Sequence, residues 1–98
     1  MATQIRIYTI NRGQLRQFAR EWREKVQPLR EYLGFTVGGA WLVEETNQFV
    51  WLLSYDGPED WESQDAAYYT SPERKAMDPN PARLIARAEE FFAENFIS

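Results

Sequence analysis

The chain opens on a strict alternation. Ile5, Ile7 and Thr9 point one way, Gln4, Arg6, Tyr8 and Ile10 the other, and the β-branched content fits a strand over residues 4–10. Asn11-Arg12-Gly13 makes a turn. The period then changes. Leu15, Phe18, Trp22, Val26, Leu29 and Leu33 recur at spacings of 3, 4, 4, 3 and 4, which predicts an amphipathic helix of about five turns. Pro28 lies inside it and cannot donate its backbone hydrogen bond, so a kink is expected one turn earlier. Gly34 is placed to stop the helix in a left-handed conformation.

Residues 35–44 and 49–56 read as strands joined by a turn at Glu45-Thr46-Asn47-Gln48. Unbroken alternation puts Phe35, Val37, Gly39, Trp41 and Val43 on one face of the first. The second is apolar on both faces, with Phe49, Trp51, Leu53 and Tyr55 on one side and Val50 and Leu52 on the other. Gly57-Pro58-Glu59-Asp60 opens a helix that runs to about Tyr69, with Pro58 at its first position and the acids at the positive end of its dipole. Ser71-Pro72-Glu73 starts a short extra turn, and Asp78-Pro79-Asn80-Pro81 is a loop in which Asn80 caps the next helical turn. From periodicity alone, with Leu84, Ile85, Ala88, Phe91 and Phe92 at helical spacing, residues 81–95 read as a helix.

A strand in the tail would give instead the order βαββαβ of a ferredoxin-like α+β fold in a single domain, residues 1–98. Two helices then cover one face of an antiparallel sheet, and the other face is normally polar where it meets water. Here a strand is apolar on both faces, and fifteen Trp, Tyr and Phe rings in 98 residues exceed what one small core needs. Leaving them in water costs roughly 25 cal/mol per Å². An apolar patch of this kind marks an interface, and a second copy of the same sheet is its simplest cover.

Composition narrows the chemistry. No cysteine is present, so there is no thiolate nucleophile or Cys-bound zinc, and no histidine, which removes the commonest general base and metal ligand. No metal site and no cofactor are expected. The net charge of −4 is uneven: residues 1–33 carry seven basic and three acidic side chains, and residues 34–98 four basic and twelve acidic. An acidic chain without a dense basic stripe is a poor nucleic-acid binder, and the asymmetry suits either a solvated helix face or contact between two copies. With no signal-peptide core and no apolar stretch near 18 residues, the chain is expected to be cytoplasmic and free of membranes.

Ile5-Arg6-Ile7-Tyr8, Gly13 before a long helix, Gly34-Phe35, Gly39-Ala40-Trp41, Asn47-Gln48-Phe49-Val50 running to Tyr55-Asp56, and Ala67-Tyr68-Tyr69-Thr70-Ser71-Pro72-Glu73-Arg74 together resemble the NIPSNAP family over nearly the whole chain. The resemblance implies a dimeric α+β barrel, two ferredoxin-like sheets packed face to face. It also implies a short helical stretch near residues 81–85 and a last strand near residues 86–92, against the periodicity of the tail. Many such proteins carry a histidine where this chain has Trp51, so chemistry that uses the imidazole is absent here. The family carries no general activity that could be transferred; its wider superfamily includes cofactor-free monooxygenases, haem enzymes and isomerases.

Arg6 and Tyr8 are the sharpest candidate pair, two apart on a strand and so on one face. In a pocket, the guanidinium holds a carboxylate or enolate and the phenol donates a hydrogen bond; the alternative is an arginine paired with an acid and a tyrosine packed beside it. Trp41, Trp51 and Tyr55 form either the wall of an aromatic pocket or dimer core, and Tyr68 and Tyr69 either close its mouth or pack. The Arg6/Tyr8 face is expected to line a cleft shared with the partner. Gly38-Gly39 lacks the context of a phosphate loop, and the adjacent acids Glu44/Glu45, Glu59/Asp60 and Glu89/Glu90 read as solvated turns and caps. The ligand-binding set is therefore Arg6, Tyr8, Trp41, Trp51, Tyr55 and Tyr69, with no catalytic residue assigned. Three functions remain open: a homodimer that binds a small apolar or aromatic molecule, a cofactor-free monooxygenase or isomerase acting on an aromatic or polyketide-like substrate, or a structural interaction module.

Overall fold

Antiparallel pairing of four strands organises the computed structural model, which describes residues 1–97. The strands are β1 (Ala2–Ile10), β2 (Phe35–Val43), β3 (Gln48–Tyr55) and β4 (Ile85–Phe92), in the spatial order β2-β3-β1-β4. Helices α1 (Leu15–Glu21) and α2 (Gln27–Tyr32) connect β1 to β2, and α3 (Trp61–Thr70) and α4 (Pro72–Lys75) lie between β3 and β4. The element order is the βαββαβ arrangement, and the tail is a 3₁₀ turn, Pro81–Leu84, followed by a strand. As an edge strand with most of its residues exposed, β4 shows no burial alternation, which is why Ala86–Phe92 has no strand periodicity to read.

Between α1 and α2 the chain widens into a π-helical turn, Trp22–Val26. Gln27 N–H donates to the Trp22 carbonyl five residues back, so what precedes Pro28 and its missing donor is a widened turn of the helix. Gly34 ends α2 at φ +91°, a conformation that costs other residues a Cβ clash. The second long helix starts later than Pro58. Asp60 is its cap, its Oδ1 accepting from Ser63 N–H at 2.7 Å, while Tyr55 Oη accepts from Glu59 N–H at 3.4 Å and holds residues 57–59 outside the helix. Ser71 and Asn80 cap the following turns in the same way. Glu21 accepts two bonds from Arg83 at 2.7 and 3.0 Å, pinning α1 to the 3₁₀ turn, and these bonds hold its carboxyl down at about 2.

All helices lie on one face. Residues of the covered face pair across the strands in rows: Phe92–Gln4–Leu53–Val37, Glu90–Arg6–Trp51–Ala40 and Ala88–Tyr8–Phe49–Leu42. Phe18 and Trp22 of the helical layer meet Phe49 and Trp51 through tilted and edge-on ring contacts at 4.9–5.2 Å, and Phe18 meets Tyr8 at 5.9 Å. The open face carries Phe91–Ile5–Leu52–Gly39 and Glu89–Ile7–Val50–Trp41, flanked by polar rows that include the Thr3–Ser54 and Gln48–Thr9 hydrogen bonds.

Two expectations need correction here. The register of β2 shifts at a bulge between Val37 and Gly39, so Phe35 and Val37 face the helices whereas Gly39, Trp41 and Val43 face the open side. Gly39 also leaves space for the Trp41 ring, whose Cη2 would lie 2.5 Å from any added Cβ. The Arg6/Tyr8 face, moreover, is the one beneath the helices and not the one free to meet a second sheet. Among the described residues, no helix is long and apolar enough to cross a membrane.

Candidate functional site

Arg6 sits at the centre of the covered face with 1% of its surface exposed. Such a burial is tolerable only with partners for its charge and its N–H groups. Four are supplied: Nε donates to Gln4 Oε1 at 3.0 Å, Nη1 to Tyr69 Oη at 3.2 Å and Nη2 to Asp65 Oδ1 at 3.2 Å, and the Glu90 carboxylate forms an ion pair with Nη1 at 3.0 Å. The same Asp65 oxygen accepts from Arg30 Nη1 at 2.7 Å, so one carboxylate on α3 ties β1 to α2. Arg30 is as buried as Arg6 and lies 3.7 Å from the centre of the Tyr68 ring. Burial works against the charge of Arg6, but Tyr8, Tyr69 and Asp65 outweigh it and keep the guanidinium protonated beyond its ordinary range. Burial pushes the Tyr8 phenol up to about 12 against the opposing pull of Arg6.

Beside this cluster is a small cavity of about 50 Å³ between sheet and helices. Tyr8 and Trp51 line it from the sheet, Trp22 and Arg30 from the first helical layer, and Tyr69 and Arg74 from the second. The buried donors Trp22 Nε1, Trp51 Nε1 and Arg30 Nε find no acceptor among the described residues. Each such group carries a desolvation cost of about 1–3 kcal/mol until an acceptor reaches it. Tyr69, 41% exposed, stands at the solvent side.

Of the six residues expected in a site, the fold brings Arg6, Tyr8, Trp51 and Tyr69 together. Trp41 is on the opposite face of the sheet because of the β2 bulge, and cannot share a pocket with Trp51. Tyr55 is on the covered face but at its far end, packed against Phe35 at 5.2 Å and close over Gly57. Arg6 matches the acid-paired alternative, with Asp65 and Glu90 as its acids. Trp22, Arg30 and Arg74 do not stand out in the sequence as site residues. Arg30 has a legible signal all the same: Phe18, Trp22, Val26 and Arg30 succeed one another at intervals of four, which places a charge in line with an apolar stripe.

A four-stranded antiparallel sheet in this order, with helices on one face only, defines a ferredoxin-like α+β protein. The NIPSNAP family model matches residues 3–96, and the chain belongs to that family. Its fold is similar to that of an uncharacterized NIPSNAP domain protein from Burkholderia xenovorans, with a TM-score of 0.83 and 18% identity over 99% of this chain and 96% of that one. A NIPSNAP family protein from Agrobacterium tumefaciens matches with a TM-score of 0.84 and 16% identity over 98% of this chain and 93% of that one. A candidate antibiotic biosynthesis monooxygenase from Nitrosomonas europaea shares the fold more distantly, with a TM-score of 0.70 and 11% identity over 98% of this chain and 90% of that one. No curated protein matches the sequence.

Proposed function

We propose that this NIPSNAP protein is a cytoplasmic homodimer that binds a small, partly apolar molecule, with two copies joined through their open sheet faces and a ligand acceptor group held in each Tyr8–Trp51–Tyr69 cavity. One observation carries the binding reading: Trp22, Trp51 and Arg30, the three residues with a buried donor that finds no acceptor among the described residues, all line one cavity. A volume of about 50 Å³ suits a carbonyl or carboxylate rather than a whole ring. The body of the ligand would then extend past Tyr69 toward solvent. The dimer reading rests on the apolar rows of Ile5, Ile7, Val50 and Leu52, with Trp41 and Phe91 each 51% exposed beside them.

A cofactor-free enzyme on the same residues would need Arg6 to stabilise an enolate and Tyr8 or Tyr55 to move a proton. The geometry disfavours it. Arg6 is already engaged by two carboxylates, Tyr8 is a weaker acid than an ordinary phenol, and Tyr55 is remote from the cavity. Native mass spectrometry of protein taken directly from cells tests the reading. A dimer carrying a small molecule, which Trp51→Phe loses by removal of one indole N–H, is the expected result. A ligand-free monomer would overturn it. So would oxygen uptake on hydroxylated aromatics that Arg6→Ala and Tyr8→Phe abolish, since that result would establish the enzyme instead.

A further inference from the structure

A second, larger concavity lies on the other side of Trp22. It is an open cleft of about 450 Å³ between the helical layer and the bulged edge strand β2. Trp22, Phe49, Val37 and Leu42 give it an apolar lining. On β2 the small Ala40 stands between Val37 and Leu42 on the cleft side, while the bulge glycines Gly38 and Gly39 contribute backbone, their Cβ positions being turned to Leu52 and Trp41 on the open face. The volume is within the range of sites that enclose small molecules, roughly 300–1,000 Å³.

The opposite wall is basic. Arg16, Arg20 and Arg23, at spacings of four and three, stand along one side of the helix and line the cleft together. Arg16 is spoken for by an ion pair with Glu44. Arg20 and Arg23 make no hydrogen bond or ion pair among the described residues. Two unpaired guanidinium groups over an apolar floor, in a chain of net charge −4, are complementary to one ligand class.

We infer that this cleft binds an apolar carboxylate, its anionic group on Arg20 and Arg23 and its hydrocarbon body on Trp22, Phe49, Val37 and Leu42. The site is separate from the inner cavity and stands without it. The opposing walls distribute the two halves of the ligand: the helix takes the charge, and the small Ala40 on β2 leaves room for the body.

Calorimetric titration with 2-naphthoate and its uncharged analogue 2-naphthamide reads the charge and the body separately. The full-length protein should bind the carboxylate about tenfold or more tighter than the amide. The double variant Arg20→Ala/Arg23→Ala should lose that preference, whereas Arg12→Ala, which removes a cation outside the cleft, should keep it. Ala40→Phe, which fills the cleft, should weaken both ligands. Circular dichroism verifies that each variant is folded. Equal affinity for the two probes in the full-length protein, or a preference undiminished in the double variant, overturns the inference. Carboxylate binding lost in Trp51→Phe but kept in the double variant also overturns it, by placing the ligand in the inner cavity and leaving the function proposed above intact.

Discussion

The two faces of the sheet invert the usual assignment. The face under the helices holds the charge: Gln4, Arg6 and Tyr8 of β1 are buried there, and Arg6 pairs with Glu90 of β4 and Asp65 of α3. On the uncovered face, the central β1 and β3 positions are Ile5, Ile7, Val50 and Leu52, with polar rows only at its margins. A hydrophobic-in rule applied to β1 alone would turn the strand over. What settles its orientation is β3, whose covered side has the bulkier set, Phe49, Trp51, Leu53 and Tyr55. Those rings build a core large enough to bury an arginine beside them. The difference teaches that the two faces answer to different demands. Polar groups on the covered side find partners there, apart from three buried donors on residues that line the cavity, while the aliphatic rows on the open side have no helix packed over them among the described residues.

Adjacent leucines on β3 break or uphold this contrast most directly. Leu53 is fully buried on the covered face and Leu52 only partly buried on the open one. Leu53→Ala should cost about 3 kcal/mol of unfolding free energy through lost burial and a residual cavity. Leu52→Ala should cost only about 1 kcal/mol when measured at protein concentrations low enough to populate single copies. Urea denaturation across a concentration series checks both. Equal costs at low concentration would mean that the open face is covered within one copy.

A charge in the middle of the open face should act on association rather than folding. Ile7 pairs with Val50 on one side and Glu89 on the other, at the centre of the aliphatic rows. Ile7→Arg is expected to raise the dissociation constant of the proposed dimer about a hundredfold, roughly 2.7 kcal/mol, by leaving a desolvated charge without a partner. Sedimentation velocity reports the outcome. A wild-type protein that sediments as a monomer at micromolar concentration would remove the partner from the comparison altogether.

These contrasts are unevenly legible in the sequence. The phase of β1 and the two-sided apolarity of β3 come from alternation, because both strands pair along their central registers without interruption. The phase of β2 does not, since a bulge resets it, and Gly38-Gly39 is the only local sign. Alternation misplaces Trp41 for that reason alone. Strand β4 is invisible to periodicity because an exposed edge strand has no buried face to alternate against; family resemblance places it, not pattern. Within the candidate site, Arg6 and Tyr8 stand out as a polar pair in an apolar strand. Trp22 does not, because a tryptophan on an apolar helical stripe reads as core, and Arg30 shows only in being in line with that stripe on an otherwise basic helix. Only the three-dimensional packing shows that their nitrogens are buried without acceptors.

The smallest effect expected is also the one that asks how dry the covered face is. Tyr8 titrates at about 12, mainly because burial disfavours the phenolate, and Arg6 pulls against that rise. Its unfolded value is the ordinary 10.0, so the folded chain retains the proton longer than the unfolded one. The stability linked to this phenol is therefore fully present below pH 10 and is lost as pH rises from there through about 12. Absorbance titration of the wild type should show late-ionising phenols, and Tyr8→Phe should remove one phenol equivalent from that late step. The variant should also show a shallower loss of stability across the same alkaline window, although burial raises Tyr68 as well and keeps some slope in place. A Tyr8 phenol that ionises at its ordinary value would show that water reaches the covered face. The distinction between a dry, internally paired side and an open apolar side would then fail at the residue where it is drawn most sharply.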